Sequence, residues 1–202
     1  MAENLDQQPQ RSGARSALLV VDVQPTFCEG GALPVEGGNA VAAGVAALLA
    51  DDHGYDLVVT TQDWHIDPGD HFSDEPDFVS TWPPHGVAGT AEAELHPALD
   101  PVADRIDAKV RKGMGEAAYS GFEGVDDDGR TLDEVLAAAG VAEVDVVGLA
   151  FDHCVRATAV DAAANGYATK VIERLSASVA PETTAAARTE LAAAGIDVIG
   201  SR

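Results

Sequence analysis

The sequence contains few cysteines and no long apolar run, and each shortage excludes a class of protein. Two cysteines in 202 residues are too few for a disulfide framework and suit a reducing compartment. There is no stretch of about 18 apolar residues that could span a bilayer. The first 15 residues are polar and lack the apolar segment of a signal peptide. We therefore expect an unexported, cytoplasmic protein.

Basic residues are also scarce, and this shortage bears on the partners of the chain. Asp and Glu outnumber Lys and Arg by 34 to 12, which gives a formal net charge of -22 at pH 7. That charge repels phosphate backbones and anionic lipid surfaces, so we expect neither nucleic acid nor a membrane as a partner. The acidity suits a solvated or salt-tolerant surface, with an acidic docking face as the alternative. The sequence leaves open whether the chain forms a homo-oligomer.

Strand-like and helix-like segments alternate along the chain, which is typical of an α/β fold with a parallel sheet. Six short apolar segments are predicted to be strands: residues 17–23, 56–61, 105–110, 143–149, 169–172 and 197–199. They are too short and too apolar for half-exposed hairpin strands. Four segments with apolar residues at helical spacing are predicted to be helices: residues 39–50, 132–139, 154–165 and 183–194. Gly140, Gly166 and Gly195 lie where C-terminal caps belong.

The chain length suits one domain with a full core, which we place at residues 16–202 after a flexible tail at residues 1–15. One long segment, residues 67–89, interrupts the alternation and is rich in Pro, Gly and His. A loop of that length is usually either functional or disordered. Phe72, Phe78 and Trp82 argue against disorder. We therefore expect this loop to be functional.

Three residues of chemical interest each lie just past an apolar run: Asp22, Lys112 and Cys154. Because the carboxyl ends of parallel strands meet at one edge of the sheet, an acid, a base and a thiol there can share one crevice. This recurrence predicts an enzyme. Each residue also has a plainer interpretation, since Asp22 could cap a strand, Lys112 could be solvated, and Cys154 could be a small buried apolar residue.

The surroundings of the two cysteines differ. Residues 148–156 are typical of a strand, a short turn and a helix that begins at or near Cys154. A helix N-terminus lowers the pKa of a thiol and can bind an oxyanion, so the position suits a nucleophile. Cys28 lies in a Gly-rich loop with no base nearby in sequence, and we interpret it as a packing residue.

A group of four residues around the long loop predicts a metal site: Asp63, His65, His71 and His85. One carboxylate and three imidazoles suit zinc, iron or manganese. Two residues that are two positions apart on an extended segment point the same way, so Asp63 and His65 can chelate together. The alternative is that these are ordinary surface histidines, because the spacing matches no zinc-finger or helical metalloprotease pattern.

Five blocks of the sequence, in order, resemble the signature blocks of one enzyme family. They are residues 21–24 (VDVQ), 63–72 (DWHIDPGDHF), 82–85 (WPPH), 112–113 with 119–124 (KG and YSGFEG), and 152–155 (DHCV). These blocks are similar to those of the nicotinamidases, also called pyrazinamidases, within the isochorismatase-like cysteine hydrolases. The resemblance implies a three-layer α/β/α, Rossmann-like fold with a six-stranded parallel sheet.

The resemblance also implies roles for the residues at the three strand ends. Asp22 would be the general base that takes the thiol proton, Lys112 would stabilise the charged pair, and Cys154 would attack the carboxamide carbon to form a thioester. The backbone N–H groups of Ala150 and Cys154 would form the oxyanion hole. A cis peptide bond is implied between Leu149 and Ala150.

By the same resemblance, one divalent transition metal ion, either zinc, iron or manganese, would bind the ring nitrogen of the substrate, and no organic cofactor is needed. The ion would be held by Asp63, His65, His71 and His85. The ring would pack against Phe27, Trp82 and Tyr119. Two departures from the family pattern, the bulky Phe151 and the pair Val110 and Arg111, leave the pocket width and the ring selectivity open.

The expected reaction is the hydrolysis of a small carboxamide: nicotinamide would yield nicotinate and ammonia in NAD salvage, and pyrazinamide would also be hydrolysed. The first alternative is a related amidohydrolase that acts on another small carboxamide or carbamoyl compound. The second is a catalytically silent metal-binding or interaction domain. The joint presence of Asp22, Lys112 and Cys154 argues against the silent domain, because such a chain would be free to lose any of them.

Overall fold

The computed structural model describes residues 13–200, and its regular elements alternate as the sequence predicts. The strands are β1 (Arg15–Val21), β2 (Leu57–Asp63), β3 (Ala108–Lys112), β4 (Val141–Leu149), β5 (Ala168–Ala177) and β6 (Asp197–Ile199). The helices are α1 (Gly38–Ala50), α2 (Leu132–Ala138), α3 (Arg156–Ala164) and α4 (Pro181–Ala193). A π-helical turn, Phe151–Val155, directly precedes α3. The prediction of an α/β fold with a six-stranded sheet is confirmed.

The order of the strands places a crevice at one edge of the sheet. All six strands are parallel, in the order β3-β2-β1-β4-β5-β6. The chain runs from β1 toward β2 and β3 on one side, and from β4 toward β5 and β6 on the other. Because the connections diverge at this switch point, the carboxyl ends of β1 and β4 leave a crevice between them, where open α/β sheets bind ligands. Asp22 and the turn Phe151–Val155 border that crevice.

Two apolar layers cover the sheet, because alternate residues of a strand point to opposite faces. Leu19 and Val21 of β1 belong to the cluster that packs against α2, α3 and α4. Leu18 and Val20 belong to the cluster that packs against α1 and the 3-10 segment Pro97–Arg105. Burial on both faces explains the nearly continuous apolar strands of the sequence. In the part of the chain that the structure describes, no helix is both long and apolar enough to cross a membrane.

Several predicted boundaries are corrected by the structure. β3 begins at Ala108 rather than 105, because the 3-10 segment Pro97–Arg105 runs through Arg105 and ends at its C-cap, Ile106. β5 continues to Ala177 rather than 172, and the charged Glu173 within it is neutralised by an ion pair with Arg188 of α4. Of the tail predicted at residues 1–15, residues 1–12 lie outside the described part and Arg15 already belongs to β1.

The approach of β4 to β1 beside the crevice requires a glycine. Gly148 has φ of 116°, and a Cβ there would lie 2.0 Å from the carbonyl oxygen of Val21. Gly148→Ala is therefore expected to lower the free energy of unfolding by about 3 kcal/mol or more, from backbone strain together with crowding. Gly166 is the matched control, because its φ is 93° but no atom lies within 4 Å of an added Cβ. Gly166→Ala should cost only about 1 kcal/mol. Equal losses in urea denaturation would contradict this account.

Candidate active site

Three side chains from three strand ends meet in the crevice. Asp22 follows β1, Lys112 is the last residue of β3, and Cys154 lies in the turn after β4. The Lys112 Nζ atom is 2.9 Å from Asp22 Oδ2 and 3.7 Å from Cys154 Sγ. Asp22, Lys112 and Cys154 are 0%, 1% and 7% exposed. The structure thus brings together the acid, the base and the thiol that the sequence pattern singled out.

Asp22 is held by a residue that sequence reasoning missed. The backbone of Asp22 has φ of 48°, in the left-handed region. Residues other than glycine rarely adopt this conformation, and it is often found at functional sites. The backbone N–H of Asp22 donates to the carbonyl oxygen of Thr61, at 3.2 Å, and the Thr61 hydroxyl donates to Asp22 Oδ1, at 2.6 Å. A threonine within an apolar strand gives no sequence signal for this role.

Burial governs the proton affinities of these groups. It raises the pKa of Asp22 above its usual range, although the charge of Lys112 opposes the shift. Burial also raises the pKa of the Cys154 thiol, again against Lys112. Burial alone would lower the pKa of Lys112, but the charges of Asp22 and Asp63 raise it well above its usual value. A charged lysine thus lies beside a carboxylate of raised proton affinity and a protonated thiol.

The thiol pKa corrects one expectation from the sequence. We expected the helix N-terminus to lower it, but Cys154 is the fourth residue of the turn Phe151–Val155 and is buried. Desolvation of the thiolate outweighs the attraction of the Lys112 charge. The thiol therefore needs a proton acceptor, and Asp22 lies within its reach as one.

The four predicted metal ligands also come together. The ligand atoms of His65, His71 and His85 all lie within 4.8 Å of one another. Asp63 Oδ2 is 3.6 Å from His65 Nε2 and 3.7 Å from His85 Nε2. His65 Nε2 and His71 Nδ1 are buried and have no hydrogen-bond partner. Burying unpaired polar atoms is unfavourable, so these residues fit a metal ion as their shared partner.

Contacts behind the imidazoles also suit metal binding. His65 Nδ1 is 2.6 Å from the carbonyl oxygen of Gly113, and His85 Nδ1 is 2.7 Å from that of Pro83. Each of these contacts leaves Nε2 for a metal, as is common for metal-bound histidines. Burial, together with the other imidazoles, lowers the pKa of His71 to about 4, and burial lowers that of His85. Both rings are therefore in the neutral form that binds metals.

Asp63 lies between two clusters of side chains. One consists of the imidazoles of His65, His71 and His85, and the other of Asp22, Lys112 and Cys154. The Oδ1 atom of Asp63 forms an ion pair with Lys112, while its Oδ2 atom faces the imidazoles. Burial would raise the pKa of Asp63, but Lys112 and His65 lower it below its usual range, so the group is a carboxylate. Gln24 fixes its backbone: the Gln24 amide accepts from the Asp63 N–H at 2.9 Å and donates to the Asp63 carbonyl at 3.0 Å. Gln24 lies in the VDVQ block, which was its one sequence signal.

One cavity of about 620 Å³ reaches both clusters, one through Cys154 and the other through His71 and His85. It is lined by Asp63, His71, His85, Ala150 and Cys154, by Phe27, Trp82 and Tyr119, and by apolar residues that include Leu33, Phe78 and Val179. Trp82 Nε1 donates to the Tyr119 hydroxyl at 3.0 Å, which fixes two of the aromatic walls. The peptide bond between Leu149 and Ala150 is cis. A mostly apolar cavity with a few convergent polar groups suits a small, flat, polar molecule.

The residues that depart from the family pattern do not line the cavity. Phe151 and Val110 are fully buried in the core that packs against α2, α3 and α4. The guanidinium group of Arg111 lies 4.3 Å from the ring centre of Trp64 and pairs with Asp127 at 2.9 Å. These departures therefore do not change the lining of the cavity, and periodicity does not show that Phe151 turns into the core immediately after β4.

Cys28 lies in a different environment from Cys154. It is 1% exposed and belongs to the apolar cluster that packs against α1. Burial, assisted by the charge of Glu29, raises the pKa of its thiol to about 11. It is not among the residues that line the cavity. These features are those of a packing residue.

Comparison with known proteins decides the family. The model of the isochorismatase domain matches residues 16–202. The chain belongs to this family. It is 53% identical to the nicotinamidase/pyrazinamidase of Mycobacterium tuberculosis over 92% of this chain and 98% of the relative. The resemblance inferred from the sequence blocks is therefore confirmed at the level of the family.

Solved structures agree with this assignment. The L. infantum protein PnC1 in complex with nicotinate superposes with a TM-score of 0.78 and 36% identity, covering 92% of each chain. The pyrazinamidase of Pyrococcus horikoshii in complex with zinc superposes with a TM-score of 0.75 and 34% identity, covering 93% of this chain and 99% of that one.

Proposed function

We propose that this chain is a nicotinamidase: a metal-dependent cysteine amidohydrolase that converts nicotinamide to nicotinate and ammonia in NAD salvage. The observation that carries the proposal is the position of Lys112 Nζ, which contacts Asp22, Asp63 and Cys154 beside a cluster of three imidazoles. The identity to the M. tuberculosis nicotinamidase/pyrazinamidase supports the choice of substrate.

The first half of the proposed reaction forms a thioester. The Asp22 carboxylate takes the proton of the Cys154 thiol, and its raised pKa suits that task. The thiolate attacks the carboxamide carbon, and a C–S bond forms as the C=O bond becomes an oxyanion. Asp22 then returns the proton to the amide nitrogen, the C–N bond breaks, and ammonia leaves. Lys112 keeps its charge throughout and stabilises the anionic partner of the pair.

The second half consumes water. Asp22, again a carboxylate, takes a proton from water while the oxygen attacks the thioester carbon. The C–S bond breaks to give the carboxylic acid, the thiolate regains its proton from Asp22, and the product departs as nicotinate after its acidic proton passes to solvent. We assign stabilisation of both oxyanions to the backbone N–H groups of Ala150 and Cys154, which line the cavity together.

The residues fit a metal ion that orients the ring. Asp63, His65, His71 and His85 would hold one divalent transition ion, which would supply a Lewis acid for the ring nitrogen. Zinc is favoured by the zinc complex of the Pyrococcus horikoshii relative. Phe27, Trp82 and Tyr119 would pack against the ring. Pyrazinamide also has a ring nitrogen meta to its carboxamide, so we propose it as a second substrate.

The test compares two amides that differ in one atom of the ring. Purified, metal-replete protein should release ammonia from nicotinamide without an organic cofactor. Benzamide lacks the ring nitrogen. We expect its kcat/KM to be lower than that of nicotinamide by roughly 100-fold or more, because a site that binds a polar atom rejects an analogue without it. Ammonia release is the measurement, with a small carbamoyl compound as a further substrate. Preferred turnover of the carbamoyl compound would assign the chain to a different amidohydrolase.

A further inference from the structure

Asp152 is a buried carboxylate that the proposed chemistry does not use. It lies in the turn Phe151–Val155, two residues before Cys154, and is 4% exposed. Its oxygens accept hydrogen bonds from three groups outside that turn: the Val179 N–H at 3.0 Å, the Ala180 N–H at 3.2 Å, and the Thr183 hydroxyl. The nucleophile turn is thus joined to the segment that follows β5.

These hydrogen bonds reach the N-terminal end of a helix from a distant part of the sequence. α4 begins at Pro181, and its own N-cap residue, Ala180, has no side chain that could accept a hydrogen bond. Asp152 accepts from the two N–H groups just before the helix and from the Thr183 hydroxyl in its first turn, and an anion is favourable at a helix N-terminus. Burial would raise the pKa of Asp152, but hydrogen bonds from His153, Thr183 and the backbone lower it to about 2. The group is therefore ionised at neutral pH.

The segment that Asp152 contacts is also a wall of the cavity. Val179, Ala180 and Thr183 all line the cavity that contains Cys154. Val179 is half exposed, and its position depends on the loop between β5 and α4. The three bonds to Asp152 connect this loop to the turn that carries the thiol, so one carboxylate fixes the separation of the wall and the nucleophile.

We infer that Asp152 is a positioning residue that holds the Val179–Ala180–Thr183 wall against the nucleophile turn, and so sets how tightly the cavity encloses the substrate. Its role is in substrate binding rather than in bond making, because its oxygens are occupied by the wall. The kinetic part of this inference rests on the proposed function, since it needs a turned-over substrate.

The kinetic test uses Asp152→Asn, which preserves the shape but places an amide against two N–H donors. Losing charge-assisted hydrogen bonds should raise the KM for nicotinamide roughly tenfold or more and change kcat less. Thr183→Val removes one bond and should raise KM by a smaller factor, whereas Thr183→Ser keeps the hydroxyl and should stay near the original value. Thr189→Val, on the same helix with its hydroxyl bonded to Ala185, is the matched control. A fall in kcat with unchanged KM would overturn the inference.

A second readout does not depend on nicotinamide. The rate of Cys154 alkylation is measured with small iodoacetamide and with the bulkier N-phenylmaleimide. In Asp152→Asn the loosened wall should raise the ratio of the bulky rate to the small rate, whereas Thr189→Val should leave it unchanged. Cys28, which is buried away from the cavity, reports general unfolding by its own labelling. An unchanged ratio would overturn the inference. A raised ratio in protein that never hydrolyses nicotinamide would support the wall and reject the proposed function.

Discussion

Cys154→Ala is expected to abolish ammonia release from nicotinamide, with a loss on the order of 10⁴-fold or more, because the nucleophile of a covalent mechanism has no substitute. Cys154 lines the cavity and lies 3.7 Å from Lys112 Nζ. Cys28→Ala is the matched control and should retain most activity. Cys28 is a buried packing residue whose small side chain contacts neither cluster, so its loss should affect stability more than turnover.

Chemical labelling tests the same assignment without mutation. At pH 8 iodoacetamide should modify Cys154 first, because it opens to the cavity and has Asp22 as a proton acceptor nearby. Cys28 should react slowly, since it is 1% exposed, does not line the cavity and has a pKa raised to about 11 with no carboxylate beside it that is set to take its proton. Mass spectrometry identifies the modified residue. If loss of activity followed labelling of Cys28, the assignment of the nucleophile would be wrong.

The grouping of Asp22, Lys112 and Cys154 could be predicted, because each residue lies at or just after the end of a strand that is recognisable in the sequence. An apolar, β-branched run ends just before Asp22, and another precedes Cys154, so the general rule for parallel sheets predicts that both reach one edge. Lys112 was predicted to lie just past its strand and is instead the last residue of β3. A shift of this size does not matter, because the end of the strand still faces the crevice.

The partners of these residues could not be predicted, because they depend on which strands are neighbours. The bond from Thr61 to Asp22 exists because β2 lies beside β1, and 39 positions separate the two residues in sequence. Asp152 contacts Thr183 only because α4 follows β5 on the neighbouring side of β4. The predicted direction of the Cys154 pKa shift was wrong for a related reason. The burial of Cys154 depends on packing, whereas the sequence pattern indicates only that a helix end is nearby.

The second large effect is expected from removal of the metal ligands. His65→Ala and His85→Ala should each deplete the bound metal and lower kcat/KM for nicotinamide roughly 100-fold or more, because a carboxamide that is not oriented loses its near-attack geometry. His53→Ala is the control, since this histidine stacks on Tyr55 and does not line the cavity. Elemental analysis and ammonia release are the two measurements. Full activity in metal-free protein would reject the proposed role of the ion.

The same variants can separate two roles for the ion, because Asp63 divides its two oxygens between the clusters. Its Oδ1 atom pairs with Lys112 while its Oδ2 atom faces the imidazoles. If Oδ2 binds the proposed ion, loss of that ion would free Oδ2 but leave the Lys112 pair, and Gln24 would still fix the Asp63 backbone. Lys112 should therefore stay near Cys154, and iodoacetamide should alkylate the thiol of His65→Ala at nearly the original rate. A large drop in that rate would show that the ion helps to build the nucleophile through Asp63, rather than only orienting the ring.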